Sequence, residues 1–345
     1  MSEAVGSAEL TSSAEPRTAP TRRRSGLVLA GGVLAVGVLA LVSLFVGVSE
    51  IPLAALLPGN DLHDERETLL LSRVPRTLAI VLAGTAMAVS GLIMQMLARN
   101  KFVEPSTVGT VEAASLGILT VTVLAPGAGL MTKMVVASVF ALAGTALFLR
   151  ILRAVPLRST LVVPLVGIML GGVIGAVTTF FAYRLDLLQT LNTWMTGDFS
   201  GILQGRYELL WIVAVLTAIG YVAADRFTVA GLGQDFTTNL GLSYRAVVRL
   251  GLVLVSIVSA VVVVTVGAIP FLGLVVPNVV SIFLGDNVRR AIPCVAVLGA
   301  GFVLACDIVG RVVRYPYEIP IGVVVGTVGS ALFLYLLLRR GAHVA

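Results

Sequence analysis

A lipid bilayer offers no water to a peptide group, so a chain that crosses it must satisfy its own backbone, as helices or as a closed barrel. This sequence meets that requirement again and again. Apolar runs close to the roughly 20 residues of a helical crossing lie at about 27–48, 75–97, 106–125, 132–152, 160–183, 205–224, 247–269, 271–285, 292–311 and 321–338. Only 12% of the residues are charged and 57% are hydrophobic, whereas an ordinary globular domain carries about 25% charged residues. The mean hydropathy of +1.02 is more apolar surface than a soluble fold can hide. The short alternating strands of a barrel are missing. The expected fold is all-α, a polytopic membrane protein of about ten transmembrane helices.

The first 25 residues are rich in Ser, Ala, Thr and Pro without an apolar period and read as a disordered tail. Arg22 to Arg24 precede the first run, which is too long for a typical signal-peptide core and lacks a small-residue cleavage site. An uncleaved span is favoured, and a twin-arginine export signal is the alternative. The net charge of +6 comes from arginines scattered between spans rather than gathered on one face, so it gives no nucleic-acid surface. With the tail in the cytoplasm, about sixteen basic residues fall inside and about eight outside, the bias expected of the cytoplasmic side. Both termini are then cytoplasmic, and the loop carrying Asp61, Asp64, Glu65 and Glu67 faces out.

Among 36 glycines, Gly167, Gly171 and Gly175 recur every fourth position, as do Gly322 and Gly326, a spacing that lets helices approach closely. Breaks at Gly267 to Pro270, Pro277, Pro316 and Pro320 fit a transport pathway better than an anchor, because broken helices persist in a bilayer only where protein or water satisfies the freed groups. The two lysines, Lys101 and Lys133, sit in no phosphate-binding loop, so ATP is not bound here in that way. Glu112 and Asp307 are the ionisable residues within spans. For both, a structural role is preferred to a proton relay, with Asp307 spaced to pair with Arg311 one helical turn away. Cys294 and Cys306 read as small buried hydrophobes. With only His63 and His343 besides, no resident metal site is expected, and no cofactor.

Hydrophobicity collapses from Asp225 to Arg249. Asp235 is placed to cap a helix through Leu240, Gly241 to end it, and Ser243 to cap the next. Phe236, Leu240 and Leu242 form an apolar face with Arg245 at its rim. An amphipathic segment resting on lipid is the alternative.

Several motifs in order resemble one family. Arg73-Val-Pro-Arg76, the span TLAIVLAGTAMAVSGLIMQMLARN and Glu104-Pro105, then GAIPFLGLVVPNVVSIFLGDNVRRAIP, ACDIVGR, YEIPIGVVVGTVGS and FLYLLLRR, are similar to the permeases of iron-siderophore, haem and vitamin B12 ABC importers. Departures exist. Asn100-Lys101 stands where many members have Asn-Pro, Pro277-Asn278 where they have Pro-His, and Gly329-Ser330-Ala331 where they have Gly-x-Pro. The Pro-Asn variant resembles a branch associated with ferric siderophores, often catecholate types.

That resemblance implies a vitamin B12 importer permease-like fold, with residues 1–25 as the cytoplasmic tail, 26–340 as the permease domain and 226–246 as its coupling segment. It implies ferric siderophore as cargo in the cytoplasmic membrane, with two ATP-binding subunits and an extracytoplasmic substrate-binding protein. A second permease chain is also implied, as a heterodimer by preference and a homodimer otherwise. Binding-protein carboxylates would meet Arg73, Arg76 and Arg311, whose planar donor fork suits such pairing. The alternatives are interfacial snorkelling for Arg73 and Arg76, and pairing with Asp307 for Arg311. The ATPase would grip Phe236, Asn239, Leu240, Gly241 and Arg245. Gly171, Gly175, Trp194 and Phe199 fall loosely on the implied pathway. Other readings are an ion-coupled secondary transporter, or an importer permease for haem or a corrinoid. A membrane enzyme lacks support, since the sequence has no HExxH and no GxSxG.

Overall fold

The structure, a computed structural model, describes residues 22–47, 63–154, 162–285 and 287–341. The first 21 residues of the expected tail, Asp61 of the acidic loop, Arg158 and His343 lie outside the described residues. Fourteen α-helices follow in order: α1 (Arg22–Phe45), α2 (His63–Thr68), α3 (Val74–Leu97), α4 (Thr110–Leu124), α5 (Leu130–Ala154), α6 (Val162–Arg184), α7 (Leu188–Met195), α8 (Trp211–Val222), α9 (Ala224–Gly231), α10 (Gln234–Asn239), α11 (Tyr244–Val266), α12 (Leu272–Leu284), α13 (Val288–Val312) and α14 (Ile321–Gly341). A single π turn, Leu69–Arg73, joins α2 to α3.

Among the described residues, seven helical segments are long and apolar enough to cross a bilayer. The bent pair α8 and α9 makes an eighth, and α4 and α12 are shorter apolar helices. These segments coincide with the apolar runs of the sequence. The run at 205–224 does not pass straight through, because α9 turns away from α8 by 62°.

The centre of the bundle is α3, packed against α13, α12, α11 and α8. Its most apolar stretch is 78% buried, whereas that of α1 is 6% and those of α6 and α14 are 22% buried, so the peripheral helices leave their apolar faces for lipid or another chain. The packing around α3 is set by missing side chains. A Cβ on Gly84 would lie 2.9 Å from the Gly299 carbonyl oxygen, and one on Gly91 would lie 2.0 Å from that of Gly273. Backbone therefore meets backbone along both seams, the arrangement that small residues permit in membranes.

The chain breaks between α11 and α12. Gly267 leaves α11 at φ +81°, and Phe271 enters α12 at φ +63°. Groups freed there find partners from afar. The buried Glu104 carboxylate accepts the Phe271 N–H at 2.8 Å, with the N–H groups of Gly273 and Leu274 also directed at it. Pro277 has no N–H to offer the Gly273 carbonyl one turn earlier. Gln95 Nε2 donates to that oxygen instead, at 3.3 Å.

Candidate functional site

Three regions carry polar chemistry: a charge cluster at one end, a central cavity, and a short exposed helix at the other end. The cluster forms where the start of α3 meets the antiparallel end of α13. Arg76 donates to Asp307 at 2.8 Å and to Glu318 at 2.8 Å. Arg311 pairs with the other oxygen of Asp307 and donates to the Ser43 and Val46 carbonyls at 2.9 and 2.7 Å. Arg73 donates to the same Val46 carbonyl at 2.6 Å. Arg73, Arg76, Asp307 and Arg311 are all buried, between 2% and 9% exposed.

The three arginines expected to meet a binding protein, Arg73, Arg76 and Arg311, are thus buried within this cluster. The terminal nitrogens of the three guanidiniums reach Asp307, Glu318 and the end of α1, which ties three helices together. For Arg311 the pairing with Asp307 is what the structure contains. The sequence reading missed Glu318 as a member. Arg66, Arg206 and Arg314 are exposed, and the last lies over the Tyr317 ring.

The cavity, of about 780 Å³, lies where the loop before α4, the first turns of α4, α6, the strand-like stretch after α7, the α11–α12 break and the start of α14 meet. It falls within the range of small-molecule sites. Gly171 lines it and Gly172 and Gly322 join it. Gly175 lies one turn on, where a Cβ would come 3.9 Å from Glu112 Cγ. Glycine is required where backbones cross here, since a Cβ on Gly167 would lie 2.2 Å from the Thr107 carbonyl oxygen. The structure separates Trp194 and Phe199 from this space. Phe199 is fully buried in the main core. Trp194, on α7, packs toward α4 and its neighbours beneath the Lys133 ammonium. Both rings went to apolar packing because the stretch between them is pinned by backbone bonds, Asp198 N–H to Val266 O and Gly322 N–H to Gly197 O.

The third region is α10 with its flanking turns. Gly233, at φ +118°, occupies the N-cap position, so Asp235 sits inside the first turn rather than capping it. The Thr237 hydroxyl, fully buried, lies 2.6 Å from the Gly233 carbonyl oxygen at the helix N-cap and 3.2 Å from the Val229 carbonyl oxygen of α9, which ties the two helices together. Gly241 follows at φ +77° with open space around it, and the Ser243 hydroxyl caps α11 by accepting the Ala246 N–H. Phe236 and Leu240 are each 63% exposed. Asn239 and Arg245 are exposed beside them, and Leu242 is half-buried.

A bundle of apolar helices, interrupted around a ligand-sized cavity and carrying a braced apolar projection at one end, defines a membrane-transport permease. The chain belongs to the FecCD transport family, which it matches over residues 34–339. It is 49% identical to the petrobactin import system permease protein YclN of Bacillus subtilis over 89% of this chain and 96% of that one. It is 42% identical to the petrobactin import system permease protein FatD of Bacillus anthracis over 89% and 90%. A solved metal-chelate type ABC transporter in an inward-facing conformation superposes with a TM-score of 0.77 at 23% identity, covering 91% of this chain and 99% of that one, and shares the fold. The protein is thus a multi-pass transport permease of the ABC importer class and not an enzyme.

Proposed function

We propose that this chain passes ferric siderophores across the cytoplasmic membrane, driven by ATP hydrolysis on separate subunits. The observation that carries the coupling is α10: two large apolar side chains, Phe236 and Leu240, stand exposed on a short helix braced through the buried Thr237, the form of a projection that fills another protein's groove. The cargo class is supported by the petrobactin permeases above, matched over nearly their full length. Two ATP-binding subunits would receive Phe236, Asn239, Leu240, Gly241 and Arg245, one per permease chain, with residues 226–246 as the coupling segment. The arginine bias puts this end and both termini in the cytoplasm.

A second permease chain fits against α6 and α14. Ile168 and Val323 line the cavity while 60% and 53% exposed, so the cavity borders a face that another chain would close. A different permease is favoured, with a second copy of this chain as the other outcome. At the outer end, an extracytoplasmic binding protein would deliver the chelate. Arg73, Arg76 and Arg311 then act by holding that end in shape, and the exposed Arg66, Arg206 and Arg314 are placed to meet carboxylates, each contact contributing about 0–1 kcal/mol. Haem or a corrinoid would be the alternative cargo.

The test is purification in mild detergent followed by uptake of radioactive iron. Recovery with an ATPase and a second permease, and uptake of a ferric siderophore lost in Leu240→Asp while the complex keeps its basal ATP hydrolysis, would support the proposal. Uptake by the single chain alone, or uptake indifferent to ATP, would return the ion-coupled reading.

A further inference from the structure

Glu112 is the one titratable side chain lining the cavity, and its oxygen Oε2 is buried without a hydrogen-bond partner among the described residues. An unpartnered carboxylate in low dielectric is costly, and such a residue in a membrane protein marks a functional place. Its position in the first turn of α4 makes a negative charge tolerable, since the helix N-terminus favours it. That position leaves the outward oxygen unused.

The other polar groups around the cavity are spoken for. The Ser106 hydroxyl donates to Glu104, the Thr107 hydroxyl to the Glu104 carbonyl, and the Thr196 hydroxyl to the Asn192 carbonyl. No Lys, Arg or His lines the space among the described residues. Opposite the carboxylate lies Gly171, where even an added Cβ would stay 3.4 Å from Oε2. Gly171 thus lies directly against the carboxylate, and the missing side chains of Gly167, Gly171 and Gly172 leave the cavity beside it open.

From this geometry we infer that Glu112 is a specificity-determining residue of the passage, accepting a hydrogen bond from a protonated amine on the edge of the cargo. The inference rests on the ferric-siderophore reading above. A carboxylate facing the cavity repels a chelate that presents only anionic oxygens and attracts one that carries an ammonium beside its iron-binding groups. It gives the passage a preference of its own.

The experiment uses the whole importer in liposomes and two ferric chelates with identical iron-binding groups. One has a secondary amine in its linker and the other an ether oxygen at the same place, each presented on saturated binding protein. The wild type is expected to import the amine form about tenfold faster, the scale of one hydrogen bond to a charged group. Glu112→Gln, which keeps the shape, should bring the ratio to within about twofold of one by slowing the amine form, and Glu112→Asp should keep part of the preference. No preference in the wild type, or a ratio unchanged in Glu112→Gln, would overturn the inference and leave the cargo reading intact. A Glu112→Gln complex that fails to assemble would make the carboxylate structural and overturn it as well. Import of neither chelate by an assembled wild-type complex would overturn the cargo reading, and this inference with it.

Discussion

Removing the Asp307 carboxylate should be the most damaging single change in the charge cluster. Asp307 is 2% exposed and serves two guanidiniums at once, Arg76 at 2.8 Å through one oxygen and Arg311 through the other. Asp307→Leu leaves Arg73, Arg76 and Arg311 facing only Glu318, whose side chain is 27% exposed. Breaking a buried pair in this way costs about 3–5 kcal/mol, because the remaining charge stays uncompensated. Replacing both partners is a different matter, since an apolar pair of similar volume is often neutral. Asp307→Leu with Arg311→Met should therefore cost about 2 kcal/mol less than the two single variants added together. Arg76 keeps Glu318 in that double variant, and Arg311 takes its surplus charge with it. The assay is a denaturation cycle in mixed micelles, comparing wild type, both single variants and the double. Costs that simply add, or an Asp307→Leu variant within about 1 kcal/mol of wild type, would refute the argument that one carboxylate neutralises two cations.

Other variants separate bracing from contact. Glu104→Ala removes the acceptor at the start of α12 and should destabilise by about 1–3 kcal/mol in the same titration, with Glu104→Gln milder because it keeps an acceptor. Gly91→Ala would drive a Cβ to 2.0 Å from the Gly273 oxygen, so it should abolish recovery of folded protein. Gly241→Ala meets open space and only backbone strain at φ +77°, and should cost about 1 kcal/mol, measured as a small shift of the denaturation midpoint. Phe236→Ala should leave that midpoint unchanged, since the ring is 63% exposed, while lowering uptake.

The helices were legible because lipid imposes one rule on every span, and the apolar runs obey it. The Gly241 stop and the Ser243 cap were legible too, since such signals act over three or four residues. The partners of distant groups were not. Arg76 meets Asp307 and Glu318 across 231 and 242 positions, and Glu104 meets Phe271 across 167. Pairing at that range is decided by how helices pack, which no local spacing encodes. Asp307 and Arg311 were readable as a pair only because four positions separate them on one helix. Trp194 and Phe199 misled for the opposite reason, since their neighbours in sequence approach the cavity while their rings point into packing.

The bracing of α10 makes its end of the bundle a lever rather than a tether. Thr237 is bolted to the turn before it, and α9 beyond that turn buries Phe227 and Ala230 against α3, α11 and α13. A force applied at Phe236 has little slack to take up before it reaches those helices. Because α3 and α13 touch backbone to backbone at Gly84 and Gly299 and are clamped by Asp307 at their far ends, they move together or not at all. A tug on α10 would thus be delivered as torque to the whole central bundle.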